Sequence, residues 1–131
     1  MTYEKRQIVV DDLPVPTLPL SQVVEAGPFV FVSGQSPRDP KTMTIPDGIE
    51  AQTHVVLDNL DSALHAAGCS LRDVVKITAH LADLSDRPTF NAAYREHVPE
   101  PFPARTTVGS QLGGILVEID AIAVKPTPTG T

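Results

Sequence analysis

The chain has 131 residues, 41% of them hydrophobic and 20% charged, and a formal net charge of -6. That length suits one domain with its own core, and the composition excludes a disordered chain. Its 16 acids against 10 bases argue against general capture of nucleic acid or an anionic membrane surface, which gain affinity from Lys and Arg; a local positive pocket remains compatible. Apolar runs are too short to span a bilayer, and Met1 to Val10 lacks the apolar stretch of a signal peptide, so a cytoplasmic protein is expected. Cys69 is the only cysteine, which excludes an internal disulfide and a cysteine-based zinc site.

Residues 1–17 read as an extended, turn-rich lead-in, with further prolines to position 19 (Pro14, Pro16 and Pro19). Val23 to Ala26 and Phe29 to Ser33 read as two short strands about a Gly27-Pro28 turn, with Gly34 placed to let a backbone approach another group. The first helix is predicted over Gly48 to Ala67. Asp47 and Glu50 suggest a capping box, Ile49, Val56, Leu60, Ala63, Leu64 and Ala67 form the apolar face, and Gly68 supplies the stop. After a turn at Ser70 to Asp73, Val74 to Leu81 is predicted as a strand with Val75, Ile77, Ala79 and Leu81 on its buried side. A second helix is predicted over Pro88 to Val98, with Phe90, Ala93, Tyr94 and His97 on one face; Pro99, Pro101 and Pro103 end it. Ala104 to Ser110 and Ile115 to Val124 close the chain as strands joined through Gly113-Gly114. The order, written ββαβαβ, indicates an α+β two-layer domain.

Two residues carry the chemistry. Arg105 stands among small and β-branched residues in Pro103-Ala104-Arg105-Thr106-Thr107-Val108, which suits capture of a carboxylate. Glu118 interrupts an apolar strand, which suits proton transfer. The ordinary alternative is an ion-paired surface arginine and the wet side of a half-buried strand. His54, Asp58, Asp61 and His65 fall on one stripe of the first helix, but that stripe is read as a solvated face rather than a metal site. His80 and His97 show no partner in the sequence. Phosphate-loop, nucleophile-elbow and zinc motifs are absent from the sequence.

Ser33-Gly34-Gln35, Gln52…Leu57-Asp58-Asn59-Leu60…Ala66-Ala67-Gly68, Asp73-Val74-Val75-Lys76, Phe90-Asn91-Ala92-Ala93-Tyr94 and Ala104-Arg105-Thr106…Val117-Glu118-Ile119 resemble the Rid/YjgF family of reactive-intermediate deaminases. The match runs from about Leu18 to Val124, and its closing Ala-Arg-Thr…Val-Glu-Ile pattern is the specific part. The resemblance implies a single chorismate-mutase-like domain, 1–131, assembled as a homotrimer with a barrel-like core and ligand clefts between subunits. Val117, Ile119 and Ala121 are then expected to be covered by another subunit rather than by the helices.

The resemblance also implies hydrolysis of enamines and imines such as 2-aminoacrylate to 2-oxo acids and ammonia. In that chemistry Arg105 binds the carboxylate with the Thr107 backbone N–H, and Glu118 holds the attacking water. Gly34 is a second anchor, and Ser33, Asn91 and Leu20 line the substrate. No metal or organic cofactor is called for, since an iminium is already a strong electrophile. Leu18-Pro19-Leu20-Ser21 departs from the family's Gly-Pro-Tyr-Ser, and Leu20 replaces its cleft aromatic. A substrate larger or more apolar than 2-iminopropanoate is therefore the open variant. A pathway-specific deaminase on a larger imine and a non-enzymatic trimeric metabolite-binding protein are the alternatives. The acidic charge places RNA cleavage behind both.

Overall fold

The structure, a computed structural model, describes residues 3–11, 13 and 16–127; Pro14 of the lead-in lies outside them. Six strands and two helices follow in the order β1 (Lys5–Ile8), β2 (Val23–Ala26), β3 (Phe29–Gln35), α1 (Ile49–Ala66), β4 (Val74–Leu81), α2 (Arg87–His97), β5 (Ala104–Gly109) and β6 (Val117–Val124). The strands form one sheet in the order β1-β2-β3-β6-β4-β5, with only the β4–β5 pair parallel. The α+β class stands, while the ββαβαβ order is corrected at both ends. The lead-in contributes β1, paired with β2, and two strands rather than one follow α2; these two, β5 and β6, lie on either side of β4.

This strand order explains why one sheet face stays open. β3, β4 and β5 all run the same way, and the chain moves across the sheet in one direction through α1 and then α2. Crossovers of one hand place both helices on the same face. Under them pack alternate residues of the central strands: Val30 and Val32 of β3, Ile77, Ala79 and Leu81 of β4, and Val117, Ile119, Ala121 and Ala123 of β6. Val117, Ile119 and Ala121 are thus buried within one chain, against the expectation that another subunit covers them. The open face is the other one, where Phe29 and Phe31 lie opposite Val124 and Ile122 and are exposed.

Local corrections have local causes. The α1 N-cap is Gly48 at φ 88°, without a side-chain cap from Asp47. Buried Gln52 instead ties the helix start to its surroundings. Its Nε2 donates to the Pro46 carbonyl at 2.9 Å and its Oε1 accepts the Leu116 N–H at 2.8 Å. A capping box does occur at Ser70 and Asp73, opening the turn before β4. Val75 points to the open face because pairing with β6 shifts between Val74 and Lys76, so Val74 takes the buried place. The predicted stop holds: Gly68, just past α1, has φ 79°, a left-handed conformation that a side chain disfavours.

Candidate active site

Arg105 lies on β5, opposite Ile77, and therefore on the helix side of the sheet edge. Its guanidinium stacks on two rings of α2, 5.3 Å from the Phe90 centroid and 4.9 Å from that of Tyr94, within cation–π range. It also donates to Asn91 Oδ1 at 2.7 Å. The pattern Phe90-Asn91…Tyr94 turns one helix face into a shelf for a cation. Phe90 is wholly buried, so the shelf is fixed by the core itself. Burial of Tyr94 raises its phenol above the ordinary value against an opposing pull from Arg105. Its hydroxyl has no hydrogen-bond partner among the described residues. No carboxylate pairs with Arg105 among the described residues, so the ion-paired reading of this arginine fails.

Thr107, two residues along β5, faces the same side, and Arg105, Thr107 and Asn91 line one open depression of about 700 Å³. β5 is the sheet edge, so alternate N–H groups have no neighbouring strand to receive them and can face a ligand. A smaller cavity of about 190 Å³ adjoins Arg105 on the side of Tyr94, Phe102 and Pro103.

Glu118 stands elsewhere. It lies opposite His80 on β4, and His80 lies opposite Val108 on β5. Arg105 is three residues before Val108, so two strand spacings and three residue rises separate it from Glu118, roughly 14 Å between backbones. The two side chains also leave opposite faces of the sheet. Glu118 leans over Gly34, where a built Cβ would come within 2.6 Å of its Oε2 and 2.9 Å of its Cδ. The small residue expected at 34 therefore gives room to the carboxylate. Gly34→Ala should displace Glu118 while the protein stays folded. The expected outcome is a shifted Glu118 carboxylate with near-wild-type thermal unfolding, checked by crystallography and calorimetry on the variant.

Leu20 is exposed and shares a surface depression with Ser33. The Ser33 hydroxyl donates to the Ser21 carbonyl at 2.5 Å. The predicted residues thus form two groups within one chain. Arg105, Thr107 and Asn91 lie at the helix-side edge; Glu118, Gly34 and Ser33 lie on the central strands β6 and β3, with Leu20 beside Ser33.

Contacts not foreseen in the sequence surround these groups. His80 bridges Ser110 Oγ at 2.9 Å and Asp120 Oδ2 at 3.4 Å, and His97 meets His54 at 2.8 Å between ring nitrogens. Glu96 and Asp58 flank that histidine pair at 3.4 and 3.7 Å. Both histidines therefore have partners, contrary to expectation, because strand register and helix packing bring together residues far apart in the chain. No group of three or more potential metal ligands occurs among the described residues; of the α1 stripe, His54 and Asp58 enter these contacts, and Asp61 lies 3.5 Å from His65. Burial, foremost, pushes the Cys69 thiol up, which leaves it protonated and inert.

The fold and this region together are those of an α+β domain that presents an arginine without an ion pair, on an aromatic shelf beside an open depression. Comparison with known proteins gives the rest. The family model described as endoribonuclease L-PSP matches residues 11–125. A RutC family protein of Pyrococcus horikoshii is 45% identical over 124 residues, 92% of this chain and 98% of that protein. A protein of Escherichia coli named 2-iminobutanoate/2-iminopropanoate deaminase is 36% identical over 125 residues, again 92% and 98% of the two chains. The crystal structure of E. coli TdcF with bound serine superposes with a TM-score of 0.85 at 34% identity, over 92% of this chain and 99% of that one. The chain belongs to the Rid/YjgF family.

Proposed function

We propose that this protein is a hydrolytic deaminase of α-imino acids, working as a homotrimer. In that assembly the Arg105 group of one subunit meets the Glu118 group of the next. The observation that carries the reading is Arg105 itself: a permanent cation, held by Phe90, Tyr94 and Asn91, exposed, and without an internal carboxylate. A substrate carboxylate satisfies it bidentately. The relative named as a 2-iminobutanoate/2-iminopropanoate deaminase supports the choice of reaction. The separation of Arg105 from Glu118 within one chain supports a cleft built from two copies.

With the carboxylate anchored, the imine carbon is presented to water. Glu118 accepts a proton as the water oxygen bonds to that carbon, and the imine nitrogen takes up a proton. The tetrahedral adduct then collapses: Glu118 returns its proton to the amino nitrogen, the C–N bond breaks and ammonia leaves, and the adduct hydroxyl becomes the keto oxygen as its proton passes to solvent, which balances the solvent proton taken up by the imine nitrogen. No electrons change hands, so no redox partner is needed.

The test uses imines generated in place by amino-acid oxidases. Ammonia release should exceed the solution rate at least a hundredfold, as general acid–base catalysis alone provides. Binding of 2-oxo acids with no acceleration would replace the deaminase with a metabolite-binding protein. Leu20 in place of the family's cleft aromatic favours imines larger than that of alanine, and the panel reads this preference directly.

A further inference from the structure

We propose that Arg87 is a second anion-binding residue beside Arg105, and that the site takes dicarboxylic α-imino acids and their 2-oxo products. This inference rests on the α-carboxylate being held by Arg105, and it adds the chemistry of the substrate's far end. Arg87 and Arg105 line the same open depression, with Asn91, Thr107 and Ser85 between and beside them. Arg87 is the first residue of α2, and Asn91 follows it by one helical turn. Side chains so spaced lie on one helix face, about 5–6 Å apart at Cβ. Asn91 in turn holds the Arg105 guanidinium at 2.7 Å. Asn91 therefore stands between two cations, and a ligand lying across it reaches both.

Three further observations favour an anion against Arg87. It is exposed and has no ion pair among the described residues. It occupies the first turn of a helix that carries no acid there, although the positive end of a helix dipole disfavours a cation. Two guanidiniums and that helix end repel one another until an anion arrives. The nearest acids in sequence, Asp83 and Asp86, do not line the depression, and Asp83 accepts the Ser85 N–H at 2.9 Å. Asp86 is the N-cap of α2, directly before Arg87, yet no ion pair joins Arg87 or Arg105 to an acid among the described residues.

The chemistry that fits is one small molecule with two carboxylates, such as the imines of glutamate and aspartate. A monocarboxylate leaves Arg87 unsatisfied. The bidentate fork of Arg also suits this task better than an ammonium would.

Calorimetric titration with stable 2-oxo acids tests the inference apart from catalysis. The wild-type protein should bind 2-oxoglutarate about tenfold more tightly than 2-oxobutanoate, as expected for one added charge-assisted contact. Arg87→Ala should erase that ratio, and Arg87→Lys should restore part of it. Equal binding of the two acids by the wild type overturns the inference, as does a ratio unchanged in Arg87→Ala. Imine hydrolysis measured alongside separates the two readings. Hydrolysis without a dicarboxylate preference removes only the role of Arg87; the preference without hydrolysis keeps that role and removes the deaminase.

Discussion

Arg105→Ala should lose imine hydrolysis by about 10- to 150-fold in kcat/KM, the equivalent of one charge-assisted contact of roughly 1.5–3 kcal/mol. The physical reason is specific to where Arg105 sits. Its guanidinium is pre-positioned by Phe90, Tyr94 and Asn91, so a bound carboxylate gains two hydrogen bonds without first ordering the side chain. Arg105→Lys should recover little, because an ammonium is a point charge that cannot form the planar fork. Stability should change little in either variant, since Arg105 is exposed and has no ion pair among the described residues. Steady-state kinetics beside thermal unfolding check both statements. Undiminished hydrolysis by Arg105→Ala would remove the carboxylate clamp from the mechanism.

The second large effect appears on mixing. Arg105→Ala and Glu118→Ala should each be nearly inactive alone, with Glu118→Ala losing 10²- to 10⁴-fold as general acid–base groups do. If each site takes Arg105 from one subunit and Glu118 from the next, mixed trimers contain some sites with both residues intact. Equal proportions and random head-to-tail assembly restore about a quarter of the wild-type sites. Unfolding and refolding the two variants together, then assaying ammonia release, measures the fraction. Activity no higher than that of either variant alone would mean that the two residues do not complete a site across subunits.

Much of the fold was legible because periodicity is a property of the segment itself. The strand Val74–Leu81 was read with its observed bounds, and α1 differed by a residue at each end. Errors arose where a distant segment decides the outcome. Val75 alternates correctly with its neighbours, yet a shift in pairing with β6 turns it outward. Lys5–Ile8 has no apolar alternation, and it is a strand only because β2 offers an unpaired edge. The ion pairs of Glu25 with Arg6 and with Lys125 reinforce that edge. Gln52 resembles any polar helix residue until the loop before β6 arrives to use it.

The site was legible in its parts and not in its arrangement. Arg105, Asn91 and Thr107 do gather, and Gly34 does lie under Glu118. That the two groups lie apart depends on β4 lying between β5 and β6, and that they fall on opposite faces depends on the register that sets Arg105 opposite Ile77 and Glu118 opposite His80. The shelf beneath Arg105 had a signal, since Phe90 and Tyr94 were assigned to one helix face. What the sequence lacked was the register that brings that face under β5.

The open sheet face has a consequence for how this chain tolerates change. Phe29, Phe31 and Val75 lie exposed on the same pleated surface as Glu118. In most single-chain enzymes, greasy surface residues drift freely and the catalytic carboxylate does not. Here both lie on one open sheet face, and the homotrimer proposed above would bury them together. If that assembly forms, substitutions that make the isolated chain more water-loving would loosen the contact that brings Glu118 to its partner group, and solubility and turnover would pull these positions in opposite directions.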